Sequence, residues 1–417
     1  MALVSGPTTV GDAFFQPLHG LVAASPHTRP CPELGDESWL RLGVARVLEA
    51  VGSGRGFLQE HGPRFADTPG RTNYFHSLAS TRRRDLAIGV NLALVARTAS
   101  LPDRLAEIPE LAKYECFAVD GHWHKAAAHD ARHEEVKMAV GHFFSLDLRG
   151  HQLRHLALRV TLTHEHDMSV LERLNPKGLR QGVPKGRRVL IVYDKAAIGF
   201  AFWARCRRAC AVYFVSRVKE GMVYDLIVRR EVDPEDDRNR GVTEDRSVTT
   251  REGHPMRIIC YTEPVSGGTY EFLTNEMDLP PGVVAELYRR RWDVEKTFDG
   301  IKNKLGQKKA WATSLVAKAF QGQMVAITHN LLLLYENRLE SHHGVVNTSE
   351  DRRREQRTAR FLDFAAAAGR PVSSLLLIAR RATQRSVKFV RWLRHAIRDD
   401  LAEVVAAHRL AHLYATL

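Results

Sequence analysis

The run "VLIVY", residues 189–193, is five unbroken apolar residues between the basic "KGRR" and an aspartate, Asp194. It is too short for an isolated helix and rich in β-branched residues, so it reads as a strand. No polar residue alternates within it, which means that both of its faces must be covered. That is the signature of a strand inside an α/β sheet with helices on either side. The neighbouring segments agree. "ECFAVDG" (115–121) is a second short apolar run, ending at Asp120, and "AIGFAFWARCRRAC" (197–210) reads as a helix. "VKMAVGHFFSLDLRG" (136–150) and "HQLRHLALRVTLT" (151–163) alternate as two hairpin strands around "LRGHQ", and "MSVLERLN" (168–175) reads as a short helix. The expected core is therefore a mixed sheet flanked by helices.

Three regions follow from the changes in pattern along 417 residues. Residues 1–112 are expected to be helical, from "SWLRLGVARVLEAVG" (38–52) and "RRRDLAIGVNLALVART" (82–98), forming either a small DNA-gripping domain or a helical cap. Residues 113–335 carry the α/β core, with a β-strand insertion expected at about 211–271 from "AVYFVSRV", "MVYDLIVRRE", "PMRIICYTE" and "TYEFLTN". The polar "DPEDDRNRGVTEDRSVTTREG" (233–253) within it reads as a solvated loop. Residues 336–417 read as a basic helical tail for DNA contact or dimerisation. Its part from 351 onward holds 14 Lys/Arg against 6 Asp/Glu, a surplus of 8 in a chain whose net charge is +13. Such a surplus favours a polyanionic partner, nucleic acid before an acidic membrane.

No apolar run reaches the length of about 18 residues needed to span a bilayer. The longest candidate, "MVAITHNLLLLY" (324–335), is broken by His329 and Asn330 and reads as a buried helix. The start "MALVSGPTTVGDAFF" lacks the pattern of a secretory signal. The five cysteines, 31, 116, 206, 210 and 260, form no CxxC pair, and reduced thiols in a cytoplasmic protein are expected.

The charged stretch "LYRRRWDVEKTFDGIKNKLG" (287–306) raises the question of chemistry. At about 100° per residue, with Leu287 as zero, Val294, Phe298, Ile301 and Leu305 fall between roughly −40° and +20°. They form a docking face. Tyr288, Arg291, Glu295 and Lys302 fall between roughly +40° and +100°, along the border of that face. Glu295 on its own is most simply an exposed carboxylate paired with Arg291 one turn back. Its company gives it another meaning. Asp120 and Asp194 each end an apolar strand, and the carboxyl ends of adjacent strands are where sites assemble. Two aspartates and a glutamate in a basic protein are the hard oxygen donors that a pair of Mg²⁺ ions requires. Tyr288, Arg291 and Lys302 on the same stripe would hold a phosphate backbone, Arg as a fork and Lys as a point charge.

"YRRRWDVEKTFDGIK" carries the spacing Y-(2)-R-(3)-E-(6)-K on Tyr288, Arg291, Glu295 and Lys302, and so resembles the DDE transposases of bacterial insertion sequences, specifically the insertion-sequence-four group. "FAVDGHWH" resembles the family's first-aspartate strand and "VLIVYDKAAIGF" its second-aspartate segment, and the likeness runs from about 115 to 315. The resemblance implies a ribonuclease-H-like α/β fold with a β-strand insertion. It makes Asp120, Asp194 and Glu295 catalytic metal ligands and Tyr288, Arg291 and Lys302 DNA-binding residues. Two Mg²⁺ ions are the implied cofactor, with Mn²⁺ able to substitute. The implied activity is cleavage at element ends and transfer of the freed 3′-hydroxyl to a target, by a homodimer on DNA bearing terminal inverted repeats, in the bacterial cytoplasm at the nucleoid. Some members pass through a DNA hairpin.

Two positions depart from the family pattern. His122 stands two residues after Asp120, where a small hydroxyl residue is common, and Lys195-Ala196 follow Asp194, where x-Gly is usual. They motivate an alternative, a catalytically inactive DNA-binding descendant of a transposase. A nuclease of the same fold that cuts without joining is a third reading. The histidine-rich "DGHWHKAAAHDARHEE" (120–135) suggests zinc at Asp120, His122 and His124, against the plain reading of surface histidines after a strand end; the HxHxDH order of zinc hydrolases is absent.

Overall fold

The computed structural model describes residues 9–31, 34–51, 53–60, 69–96, 101–133, 136–159, 165–194, 199–378 and 387–415. Lys195 and Ala196, the end of "RVTLT" and part of the "FADTPGRT" loop lie outside the described residues.

Five helices come first: α1 (Val10–Phe15), α2 (Asp36–Glu49), α3 (Gly54–Glu60), α4 (Arg71–Leu78) and α5 (Thr81–Ala96). Strand β1 (Tyr114–His124) follows, then a small hairpin of β2 (Arg132–His133) and β3 (Val136–Lys137), then β4 (Val140–Asp147) and β5 (Leu153–Leu158). Helix α6 (Asp167–Leu179), strand β6 (Arg188–Val192), helix α7 (Phe200–Cys210) and strand β7 (Val212–Arg217) alternate after that. Four more strands are β8 (Tyr224–Arg230), β9 (Val242–Thr250), β10 (Pro255–Thr262) and β11 (Thr269–Thr274). The chain finishes in helices α8 (Pro281–Arg290), α9 (Trp292–Asp299), α10 (Leu315–His343), α11 (Thr348–Ala367), α12 (Ser374–Leu377), α13 (Val387–Arg398) and α14 (Glu403–Ala415).

Nine strands make one sheet, in the order β5-β4-β1-β6-β7-β11-β10-β9-β8. β6 pairs parallel with β1 on one side and with β7 on the other; the remaining pairs are antiparallel. This is the mixed α/β architecture expected for a ribonuclease-H-like core, with helical regions at both ends. β6, apolar and buried from Val189 to Val192, sits among the inner strands, because that run has no polar face to give to water.

One boundary moves. Strand Val212–Arg217, read from the sequence as the start of the insertion at about 211, pairs parallel with β6 and so belongs to the inner sheet. Periodicity alone does not distinguish a buried parallel strand from a neighbouring antiparallel one.

The sheet separates two apolar cores. Phe117, Val119, Val189 and Ile191 point to the layer of α6 and α7, which supply Leu171, Phe202 and Trp203. Cys116, Ala118, Leu190 and Val192 point to the other layer, shared with Val294 and Phe298 of α9 and with Phe320 and Met324 of α10. The N-terminal helices join this second layer: Trp39 lies against Phe320 at 4.2 Å between ring centres, and the Met324 sulfur occupies the space beside Gly43. They therefore cover the sheet through α10 and share its core. No helix among the described residues is long and apolar enough to cross a membrane.

Candidate active site

Strand alternation places Cys116, Ala118, Asp120, His122 and His124 on one face of β1. The parallel ladder between β1 and β6 ends on the rung Ala118–Val192. Asp120 and Asp194 each stand two residues beyond that rung, on neighbouring segments, so period two turns both toward the face that holds α9. Asp120 lies within β1, which runs on to His124 paired with β4, and does not end its strand as the sequence suggested.

Helices α8 and α9 bring the third carboxylate. Pro281 sits at the first helical position, where its missing N–H costs nothing. Arg291 between the two helices keeps helical dihedrals, φ −52° and ψ −35°, so the pair forms one nearly continuous rod. The rod docks through buried Leu287, Val294 and Phe298. Phe298 lies 5.0 Å from the His122 ring, and Tyr288 lies 4.9 Å from Phe272. Across the docked edge the Tyr288 hydroxyl donates to Asp194 Oδ1 at 3.3 Å, and Arg291 Nη1 donates to Glu295 Oε1 at 2.6 Å.

The electrostatics bind these groups together. Burial pushes the Asp120 carboxyl above its ordinary range; the backbone N–H of Gly121 and the charges of Arg291 and Arg159 oppose this, while the Glu295 charge adds to it. Burial works against the Arg291 cation too, yet Tyr288, Glu295 and Asp194 outweigh it and leave the guanidinium more basic than usual. Tyr288 is pushed up to about 12, first by burial, with Asp194 adding and Arg291 opposing.

Asp194, Tyr288, Arg291 and Glu295 line one cavity of about 500 Å³, with Arg217, Tyr261, Tyr270, Phe272, Arg289 and Trp292. Asp120 and Lys302 are outside its lining. Asp120 is tied to the cavity through the charges of Arg291 and Glu295. Lys302 is exposed on a five-residue π-helical turn, Gly300–Lys304, and its charge reaches His122. Turns of this kind are frequent at functional sites.

Among the described residues, no three His, Cys, Asp or Glu side chains are grouped so as to hold a metal ion. The three carboxylates each take a different partner: Gly121 N–H for Asp120, the Tyr288 hydroxyl for Asp194 and Arg291 for Glu295. Like charges repel, and Arg291 supplies the compensating cation. The donor chemistry nonetheless fits a divalent ion. All three groups are hard oxygen donors, the ligand type that Mg²⁺ takes.

The histidines form a different feature. His122, His124, His142 and His155 line a buried row, with ring centres 5.0, 4.6 and 5.1 Å apart in succession. Burial lowers His122 to about 4 and both His124 and His155 to about 3, so all are neutral at pH 7. They form a row and not a converging set, so the zinc reading of Asp120, His122 and His124 finds no ligand group among the described residues. Neither are they surface histidines.

Three neighbours had no signal in the sequence. The Arg159 guanidinium, from beyond the end of β5, lies over Trp123 and Phe143, pairs with Asp167 and occupies the place where Gly121 would carry a Cβ. Arg217 ends β7 and stacks on Tyr270 at 4.9 Å. Trp123 is exposed three residues after Asp120.

Two comparisons with known proteins bear on this site. A family profile described as "Transposase DDE domain" matches residues 112–331, just over half of the chain, and all six residues of the expected site fall inside it. A protein of Sinorhizobium fredii, y4zB, whose name describes it provisionally as a transposase, is 27% identical over 120 residues. That match covers 27% of this chain and 33% of the relative, so the chain spans about a third of its length.

Proposed function

This chain belongs to the transposase DDE-domain family, and from that premise we propose that it cuts DNA at the ends of its element and joins the freed 3′-hydroxyl to target DNA. Asp120, Asp194 and Glu295 are the proposed catalytic carboxylates. The observation that carries the reading is the register: Asp120 and Asp194 stand level beyond one rung of the parallel ladder, and the Glu295 helix docks on the same face.

Cleavage adds water across a phosphodiester, breaking the bond between phosphorus and the 3′-oxygen and leaving a 3′-hydroxyl and a 5′-phosphate. In joining, that 3′-hydroxyl attacks a target phosphorus and displaces the target's own 3′-oxygen. Both displacements concentrate negative charge on phosphate oxygens. Two Mg²⁺ ions, or Mn²⁺ in their place, held by Asp120, Asp194 and Glu295, would activate the attacking oxygen and stabilise the leaving one. Arg291 holds Glu295 through Oε1, and a metal that draws both carboxylate oxygens would release the guanidinium. The released guanidinium, beside an aromatic cavity of about 500 Å³, is then positioned to grip a DNA phosphate. Tyr288 orients Asp194 through its hydroxyl, and exposed Lys302 adds a point charge for the backbone. The Y-(2)-R-(3)-E-(6)-K spacing supports the insertion-sequence-four group, with a homodimer on terminal inverted repeats, at the nucleoid of a bacterial cell.

The test uses purified full-length protein, Mg²⁺ or Mn²⁺, and DNA carrying the repeats that flank the gene. Asp120→Asn, Asp194→Asn and Glu295→Gln should each lower nicking and strand transfer at least about 100-fold, the upper end of losses seen when only an orienting partner of a ligand is removed. Lys302→Ala should leave chemistry on saturating DNA intact, while weakening binding to all sequences and reducing the salt slope by about 1. Wild-type strand transfer by any of the three carboxylate variants would refute its role. The Glu295–Arg291 ion pair also favours a second reading, a DNA-binding protein without chemistry. Tight binding by the wild type with no cleavage under either metal would establish it.

A further inference from the structure

The two edges of the nine-stranded sheet are finished differently. At the β5 edge, the Asn330 side chain of α10 accepts from Leu153 N at 2.8 Å and donates to Leu153 O at 2.9 Å, and Gln323 donates to His155 O at 3.1 Å. Those backbone groups are thereby satisfied from the side. At the β8 edge nothing comparable exists: among the described residues, no side chain or loop hydrogen-bonds to the β8 backbone outside its ladder with β9. The strand is also apolar where edge strands are normally charged. Leu226, Ile227 and Val228 are 51%, 59% and 51% exposed, and Val223 just before them is 51% exposed. Three consecutive exposed apolar residues put apolar surface on both faces of an edge strand, which makes a template for another strand.

The charges flanking that centre identify the partner. Asp225 precedes it and Arg229 and Arg230 follow it. In antiparallel pairing with an identical strand, the beginning of one copy lies beside the end of the other. Asp225 then meets the Arg229–Arg230 pair twice, once at each end, while the apolar centres meet in the middle. Parallel pairing would set like charge beside like. Asp225 has no ion partner among the described residues, whereas Arg229 and Arg230 reach Glu244 at 3.2 Å and Asp245 at 3.5 Å on β9. A bulge between Leu226 and Val228 leaves Ile227 unpaired toward β9, which turns the most exposed apolar residue of the strand outward.

We propose that β8 is a self-association strand through which two copies of this chain pair antiparallel, about a two-fold axis near Ile227, in the absence of DNA. The surface is isologous, the same patch serving both copies. It lies at the far edge of the sheet from β5, and it does not depend on the catalytic reading.

Sedimentation of the full-length protein without DNA is expected to show a concentration-dependent monomer–dimer equilibrium. Asp225→Arg, which sets arginine against arginine at both ends, should weaken dimerisation about tenfold while leaving the melting temperature of the monomer unchanged. Ile227→Cys tests the geometry separately. Residues on a two-fold axis face each other, so this variant should form an intermolecular disulfide under mild oxidation, whereas a control at the still more exposed Val404→Cys on α14 should not. A wild type that stays monomeric at all concentrations, an unchanged dimer constant in Asp225→Arg, or cross-linking at 227 no better than at 404 would each overturn the proposal.

Discussion

Asp120 is an acid held where its charge is costly. Burial raises its proton affinity and the nearby Glu295 charge adds to it, against Gly121, Arg291 and Arg159. A carboxyl whose folded pKa lies above its unfolded value contributes stability that is complete below the unfolded pKa and is lost as pH rises through the folded one. Asp120→Asn removes that pH-dependent loss. The variant should therefore melt above the wild type at neutral pH, with the difference disappearing below the ordinary aspartate range, as followed by thermal melts across pH. Mg²⁺ should raise the melting temperature of the wild type and not of the variant, because the cation must bind the ionised carboxylate. A lower melting temperature for Asp120→Asn at neutral pH would contradict this account. The residues whose roles were legible in the sequence are those with local spacing: Tyr288, Arg291, Glu295 and Lys302 share one helical stripe, and Asp120 and Asp194 close apolar runs. Arg159, Arg217 and Trp123 were not legible, because each stands in a strand or just beyond its end, and the neighbours of those strands are fixed by non-local pairing. The buried row of His122, His124, His142 and His155 was hidden for the same reason, since it spans three strands that only the sheet brings together.

At the level of elements, α10 shows what a polar pair in an apolar run can mean. His329 and Asn330 interrupt "MVAITHNLLLLY" and weigh against a membrane span. In the fold both are buried and engaged, His329 Nε2 at 2.9 Å from His151 O and Asn330 on both backbone groups of Leu153. Replacing Asn330 with the nearly isosteric, apolar leucine leaves the buried Leu153 N–H and the Asn91 Oδ1 without their Asn330 partner, and leaves Leu153 C=O only the longer 3.5 Å bond from Asn91. That costs about 1–3 kcal/mol for each unsatisfied group, so Asn330→Leu should lower the urea midpoint clearly, although the residue is more hydrophobic. An unchanged midpoint would mean that the β5 edge is satisfied in another way. The helix and its burial could be read from the sequence; the reason for its polar pair could not, since Leu153 is 177 residues away. Strand β7 was misplaced on similar grounds, its parallel partner being set by topology and not by pattern. The π-helical turn at Gly300–Lys304 also escaped the helical wheel, which assumes constant winding through Lys302.

For the whole molecule the relevant quantity is the net charge of +13 and where it is displayed. Helix α11 is exposed on nearly every side, with Ala365 its one buried residue among those described. A helix that packs so little of its surface is stabilised mainly by its own charge pairs: Arg354 with Asp351 at 2.6 Å, and Arg357 and Arg353 with Glu350 at 2.8 and 3.9 Å. Arg352 and Arg360 have no such pair among the described residues, so their charge is uncompensated and available to a polyanion. Each phosphate contact made by a lysine or arginine contributes about 0.9 to the slope of log affinity against log salt. The double variant Arg352→Ala/Arg360→Ala should then flatten the slope for any duplex by about 2, while Arg353→Ala/Arg357→Ala should flatten it less, because each removal also frees negative charge on Glu350. Anisotropy titrations of labelled DNA across a range of salt measure both. Equal slopes in all three proteins would place the DNA away from α11 and leave its arginines as a solvated face. A loss confined to one DNA sequence would instead assign them to base recognition, which a phosphate contact cannot produce.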